Sequence, residues 1–83
     1  MLHVIWDLDD DPRGNVQHIA EHGITKEEVE EVLDNPAFEG ISKSSGRPKC
    51  YGWTSTGKFI AVAYEAIDED TAYAVTAFEV REP

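Results

Sequence analysis

The chain has 83 residues, 41% of them hydrophobic, and a formal net charge of −10. This length allows one domain, expected to span residues 1–83, with a core made of one sheet face covered by a helix or two. Cys50 is the only cysteine, which excludes an internal disulfide and a cysteine metal site, and no apolar run approaches the ~18 residues of a membrane span, so we expect a soluble cytoplasmic protein.

The charge is unevenly distributed along the chain. Residues 1–40 hold eleven acidic side chains against Arg13 and Lys26, which leaves a charge of −9. Residues 40–64 contain no acid, and their cations are Lys43, Arg47, Lys49 and Lys58. An acidic protein repels nucleic acid, but surface fields fade within ~8 Å at physiological salt, so this basic segment can still bind phosphate. The alternative is a solvated acidic surface that serves solubility.

The first quarter of the chain predicts a strand and a short helix. Residues 2–6 are mostly apolar and β-branched, as in a strand. Asp11 followed by Pro12 predicts a helix start, with an acidic N-cap and proline at the first helical position. The apolar stripe of this helix consists of Val16, Ile19 and Ala20. Gly23 would end the helix in a left-handed cap.

The second helix has the clearest local signature. Thr25 is its predicted N-cap and Glu28 follows three residues later, so each side chain can satisfy the other's free backbone N–H in a capping box. Ile24 and Val29 flank this box as a hydrophobic staple, and Asn35-Pro36 ends the helix. The predicted buried stripe is Val29, Val32 and Leu33.

From Phe38 onward the hydrophobic period changes to two. We predict strands near residues 38–42, 48–54, 59–66 and 72–80. The turns between them are Ser44-Ser45-Gly46, Ser55-Thr56-Gly57 and Asp68-Glu69-Asp70. Pro48 predicts that its strand enters the sheet late or lies near an edge. The expected fold class is α+β in the order β-α-α-β-β-β-β, an antiparallel meander sheet with both N-terminal helices packed on one face.

Two motifs in the first half are similar to signatures of metal-dependent enzymes. Asp7 and Asp9 follow a strand, as in haloacid-dehalogenase phosphatases, but the rest of the chain lacks alternating strands and helices, which favours a plain acidic cluster near a helix start. His18-Ile19-Ala20-Glu21-His22 has the H-x-x-E-H spacing of inverted zinc peptidases, but no second long helix could supply a third ligand. We expect no metal and no cofactor.

The basic segment also contains aromatic residues. Strand alternation places Arg47, Lys49, Tyr51 and Trp53 on one face, and interleaved cations and aromatic rings are typical of RNA-binding surfaces. The candidate RNA-binding residues are therefore Lys43, Lys49, Lys58, Tyr51 and Trp53. The alternative interpretation is that Tyr51 and Trp53 belong to the core.

Seven fragments in fixed order carry a family pattern. They are Val4-Ile5-Trp6-Asp7, His22-Gly23-Ile24-Thr25, Glu27-Glu28-Val29, residues 47–52, Ser55-Thr56-Gly57-Lys58, residues 59–64 and Val75-Thr76-Ala77. Together they resemble the BrnT family of toxins from type II toxin–antitoxin pairs over nearly the whole chain. The resemblance implies a fold similar to RelE-type ribonucleases, metal-independent RNA cleavage that halts translation, and a ribbon-helix-helix antitoxin as partner.

The resemblance also implies where a catalytic site would lie. Metal-independent RNA cleavage needs a base for the ribose 2′-OH and cations for the charge that grows on the phosphate. Arg47 matches the family's arginine at the start of the middle strand, and Arg47 and Glu79 are the candidate catalytic residues. Phe78 stands where the family usually has another arginine, so we expect weak activity.

A second class of function fits the same fold. In this alternative the chain is a non-catalytic protein-binding module whose acidic face docks a basic partner. The feature that separates the two functions is the placement of the candidate site residues. A ribonuclease requires that Arg47, Lys49 and Lys58 converge with Glu79 in one cleft, whereas a binding module does not.

Overall fold

Residues 3–82, which the computed structural model describes, form two helices and one five-stranded sheet. The elements are β1 (His3–Ile5), α1 (Asn15–Glu21), α2 (Lys26–Asp34), β2 (Phe38–Ile41), β3 (Pro48–Trp53), β4 (Phe59–Ala66) and β5 (Thr71–Glu79). The predicted α+β class and the order β-α-α-β-β-β-β are confirmed. The predicted first strand began at Leu2, which lies outside the described residues, as do Met1 and Pro83.

The sheet is mixed, with strand order β1-β5-β4-β3-β2. Strands β2 to β5 form the predicted antiparallel meander, but β1 pairs with β5 in parallel, with His3 opposite Thr71. The prediction of a wholly antiparallel sheet was therefore wrong at β1. Parallel neighbours need a long crossover connection, and here the two helices and three strands between β1 and β5 supply it. No local pattern encodes that pairing.

Pro48 lies in the interior of the sheet, although it begins its strand. β3 runs between β2 and β4, so it is not an edge strand but the neighbour of the edge strand β2, and of the two predicted alternatives the late entry into the sheet is the one that fits. The pairing of β3 with β4 starts only at Lys49, as expected for a strand whose first residue has no N–H to donate.

The core lies between the helices and one face of the sheet. Its buried residues are Val4, Ile19, Ile24, Val29, Val32, Leu33, Cys50, Ile60, Val62, Ala74 and Ala77. Trp6 and Tyr64 pack against them, half-buried. α2 lies close to β3, since a Cβ atom at Gly52 would be 3.3 Å from Cγ1 of Val32. The predicted buried stripe of α2 is confirmed.

Helix α1 begins at Asn15, three residues later than the predicted first helical position, Pro12. Asp11 instead forms a turn: its carboxylate accepts the N–H of Arg13 at 2.9 Å, and its carbonyl accepts the N–H of Gly14 at 3.0 Å. Asp-Pro sequences favour turns as well as helix starts, because aspartate binds the backbone two residues on. The prediction of Asp11 as N-cap was therefore wrong.

The end of α1 agrees with prediction. Gly23 has φ +76°, its N–H donates to the carbonyl of Ala20, and the N–H of Ile24 donates to the carbonyl of Ile19. These two bonds make a Schellman motif, in which the flanking apolar residues also meet. Ile19 and Ile24 are both buried, whereas Ala20 of the predicted stripe is exposed.

Both bonds of the predicted capping box are present. The hydroxyl of Thr25 accepts the N–H of Glu28 at 3.2 Å, and the carboxylate of Glu28 accepts the N–H of Thr25 at 2.9 Å. Two backbone donors at the start of α2 are thereby satisfied within the box.

Replacing Thr25 by alanine is expected to lower the free energy of unfolding by about 1 kcal/mol, because the N–H of Glu28 loses its acceptor. Urea denaturation monitored by circular dichroism measures the change. Thr25→Ser is the matched control, since it keeps the hydroxyl and should remain close to the native value. A midpoint for Thr25→Ala equal to that of the native protein would contradict the role of the box.

Candidate binding surface

The sheet has a second face, opposite to α2, which we call the open face. It carries Phe38, Lys49, Tyr51, Trp53 and Phe59. Directly paired residues of antiparallel strands project to the same side, and Phe38 pairs with Tyr51 while Trp53 pairs with Phe59. The alternate residues of β3, Cys50 and Gly52, point to the helix side.

An aromatic cluster occupies one corner of the open face. The Phe59 ring is buried at its centre, 4.5 Å from the Trp53 ring, 6.2 Å from Tyr51 and 6.3 Å from Phe38. Phe38 and Trp53 remain 49% exposed. Lys49 holds its ammonium 5.2 Å from the Tyr51 ring centroid, a cation–π contact. Tyr51 and Trp53 thus lie outside the core, and the alternative that placed them in it was wrong.

Two carboxylates lie beside polar groups of the open face, whereas Lys49 contacts the Tyr51 ring instead. The guanidinium of Arg47 contacts the carboxylate of Glu65 through Nε and Nη2, both at 3.1 Å. The indole N–H of Trp53 donates to Glu82 at 3.2 Å. These exposed contacts add little stability, but they place carboxylates beside the groups that would meet a phosphate. The face therefore lacks the net positive charge on which phosphate binding depends.

Lys58 lies on the helix side, away from the other predicted RNA-binding residues. Its ammonium is 2.7 Å from the carbonyl of Gly23 and 3.3 Å from both carboxylate oxygens of Glu28. Lys58 thus joins the end of α1 to the start of α2. Lys43 lies in the exposed turn between β2 and β3.

Glu28 is a buried carboxylate, with 3% of its surface exposed. Burial by itself raises its pKa, but hydrogen bonds from the Thr56 hydroxyl, the Thr25 N–H and the Lys58 ammonium outweigh burial and hold the pKa below its ordinary value. The carboxylate is therefore charged at neutral pH and anchors α2 to the turn between β3 and β4.

The two candidate catalytic residues lie at opposite ends of the sheet. Arg47 binds Glu65 near the end of β4, whereas Glu79 pairs in register with Ile60 near its start. Ile60 and Glu65 are five residues apart along β4, and at ~3.3 Å per residue this separation is about 16 Å. Ile60 is in the core, so Glu79 also leaves the sheet on the helix side. Arg47 and Glu79 are too far apart to act on one phosphate.

A buried polar cluster that sequence reasoning missed joins α1 to the sheet. The side-chain amide of Asn15 donates to the carbonyls of Ile5 at 3.0 Å and Ala74 at 2.9 Å, and its oxygen accepts the N–H of Asp7 at 2.9 Å. Asn15 thereby satisfies the free backbone groups at the point where the pairing of β1 with β5 ends. Its spacing was the available signal, since Asn15 precedes Ile19 by four residues and so lies on the buried stripe.

Asp7 completes this cluster through Tyr73. The Tyr73 hydroxyl donates to the Asp7 carboxylate at 2.6 Å, which raises the pKa of Tyr73 to about 12. The same bond, with the N–H of Asn15, lowers the pKa of Asp7. Burial raises the pKa of Cys50 to about 11. Tyr73 and Cys50 therefore keep their protons at neutral pH, and neither is an activated nucleophile.

Two residues of the H-x-x-E-H motif, His18 and Glu21, line an open cleft of about 310 Å³ between α1 and β5, and His22 does not. The cleft is lined by Pro12, Arg13, Gly14, Asn15, His18, Glu21, Tyr73 and Val75. The His18 and His22 rings stand edge to face at 5.4 Å, and His22 contacts Phe78. Within residues 3–82, no three His, Cys, Asp or Glu side chains are grouped to hold a metal ion, and no helix is long and apolar enough to cross a membrane.

The open face and the Asn15 cluster are thus the two most distinctive surface and buried features of this chain. The BrnT resemblance rests on seven short fragments of sequence, and the separation of Arg47 from Glu79 gives it no catalytic site of the expected kind. Comparison of the chain with protein-family models, with curated proteins and with solved structures found no match.

Proposed function

We propose that this chain is a BrnT-like binding component that docks a basic protein through the open face and does not cleave RNA efficiently. The observation that carries the proposal is the exposed aromatic cluster around Phe59. Exposed aromatic patches with a polar rim are typical of protein interaction sites, because rigid rings bury much apolar surface at low entropic cost. The proposal includes a RelE-like fold and a cytoplasmic location.

The placement of charges favours binding over catalysis. A ribonuclease site needs a base and more than one cation around the same phosphate. Arg47 is matched by Glu65, Lys58 by Glu28, and Glu79 lies about 16 Å from the level of Arg47. Phe78 shares the open face with its partner Ala61 and cannot neutralise an oxyanion.

A basic partner follows from the charge of the chain. With a net charge of −10, the protein attracts cationic surfaces and speeds their encounter at low salt. Exposed acids on α2, among them Glu27, Glu30 and Asp34, contribute to this overall field from the opposite side of the sheet. A ribbon-helix-helix antitoxin, the partner that the BrnT resemblance implies, would bring the basic residues with which such proteins bind DNA.

The catalytic alternative is tested by growth and by RNA cleavage. Induced alone in a bacterial host, the native protein is expected to slow growth weakly or not at all, and the purified protein should leave a labelled single-stranded RNA intact. Arg47→Ala should behave like the native protein, because the arginine has no catalytic partner. Strong growth arrest by the native protein that Arg47→Ala relieves would establish the ribonuclease and overturn the proposal.

The binding function is tested with the product of the reading frame adjacent to this gene. We expect the two purified proteins to bind in calorimetry, and Trp53→Ala to weaken the affinity at least about tenfold, as for an interface hot spot. Lys26→Ala is the control, since this cation lies on α2, on the opposite side of the sheet from the open face. Equal affinities of the native protein and Trp53→Ala would place the interface elsewhere.

A further inference from the structure

The outer edge of β2 is open to solvent. β2 is the last strand of the sheet on that side, and all four of its residues are exposed, with Phe38 at 49% and Ile41 at 63%. Natural edge strands are usually protected against further pairing by lysine, proline or a covering loop. β2 is only four residues long and contains neither lysine nor proline, and its one charged side chain, Glu39, repels an acidic strand but attracts a basic one.

The hydrogen-bond pattern identifies the free backbone groups of this edge. The N–H of Ser42 donates to the carbonyl of Arg47 at 2.8 Å, which continues the register of β2 with β3. Bonded and non-bonded pairs alternate in an antiparallel ladder, so Phe38 and Gly40 also direct their backbone groups inward. Glu39 and Ile41 therefore direct their N–H and C=O groups outward.

The two sides of this edge differ in chemistry. On the open face Phe38 contacts Phe59, and next to it Gly40 leaves a gap in which an added Cβ would meet no atom within 4 Å. On the helix side Glu39 is exposed, close enough to Cys50 to influence that thiol. The edge thus offers an exposed ring with open space beside it on one side, and a carboxylate with the exposed Ile41 on the other.

We propose that β2 accepts an extended segment of a partner protein as a sixth strand, in which apolar residues alternate with lysine or arginine. This inference rests on the proposed function and specifies the partner segment. The apolar side chains lie beside Phe38 over the gap at Gly40, and the cations lie beside Glu39, since opposite charges stabilise directly paired positions. A second copy of this chain is a poor occupant, because each copy carries a net charge of −10.

The test uses a synthetic peptide of alternating lysine and valine, and the same peptide N-methylated at every second residue. Both have the same side chains and charge, but only the first can form a complete ladder. We expect the N-methylated peptide to bind at least about tenfold more weakly, as measured by calorimetry, because it loses two or more hydrogen bonds.

Variants of the edge provide the matching test. Ile41→Pro removes an N–H that faces solvent, so its melting temperature should stay close to native while affinity for the unmodified peptide falls at least about tenfold. Ile41→Val is the control and should bind like the native protein. Sedimentation of the free protein should show a monomer.

The outcomes separate the inference from the function on which it rests. Equal binding of both peptides, undisturbed by Ile41→Pro, would overturn strand addition and leave a basic partner in place. Binding of neither peptide would overturn strand addition, while the adjacent gene product still decides whether the open face docks a protein. A dimer that Ile41→Pro dissociates would identify a second copy as the occupant and also overturn the inference.

Discussion

Replacing Asn15 by alanine is expected to lower the free energy of unfolding by about 3 kcal/mol, because three backbone groups, one in a buried and two in part-buried hydrogen bonds, then lose their partners. These groups are the carbonyls of Ile5 and Ala74 and the N–H of Asp7. No water can easily replace the amide, since Asn15 is only 3% exposed. Urea denaturation at neutral pH measures the loss.

Two further variants make the Asn15 experiment specific. Asn35→Ala removes an exposed amide at the end of α2 and should cost no more than about 0.5 kcal/mol. Asn15→Asp keeps the size of the side chain but loses its two donors and places a carboxylate against Asp7, so it should destabilise at least as much as alanine. Similar small losses in all three variants would refute the anchoring role.

Replacing Glu28 by alanine is expected to cost about 3 kcal/mol at neutral pH. The change removes a buried carboxylate that satisfies the Thr25 N–H, the Thr56 hydroxyl and the Lys58 ammonium. Lys58 is one-third exposed and can find water, which keeps the loss at the lower end for a buried pair.

The same carboxylate makes stability depend on pH. The pKa of Glu28 is lower in the folded protein than its ordinary value of 4.5, so its contribution is fully present above that value and is lost as the pH falls through the folded pKa. Comparing native protein with Glu28→Gln between about pH 5 and pH 3 should show that the variant has the flatter profile. Glu27→Gln, which changes an exposed neighbour, is the control and should keep the pH dependence of the native protein. If the stability of Glu27→Gln depended on pH as weakly as that of Glu28→Gln, the pH dependence would not come from Glu28.

Features that depend on neighbours in the chain were predictable. Thr25 and Glu28 are three residues apart, and each finds its partner within one helical turn. Gly23 likewise ends α1 because the left-handed conformation is easiest for glycine. The strands from Phe38 onward follow from alternation and from turns that join consecutive elements.

Features that depend on distant residues were not predictable. The Asn15 amide donates to the carbonyl of Ala74, 59 positions away, and no residue near Asn15 in the sequence indicates that contact. Lys58 belongs to a basic run in sequence, but the fold pairs it with Glu28, 30 positions away. The separation of Arg47 from Glu79 depends on which strand ends they occupy, and that follows only from the sheet order.

The parallel pairing of β1 with β5 has a consequence for folding during synthesis. The ribosome makes β1 first, but the strand that pairs with it begins only at Thr71. At ~5–20 residues per second, the intervening chain takes several seconds to appear. During that interval α1 and α2 have no complete sheet on which to bury Ile19 and Val32, so the nascent chain is most vulnerable to aggregation and proteolysis just before its last strand emerges.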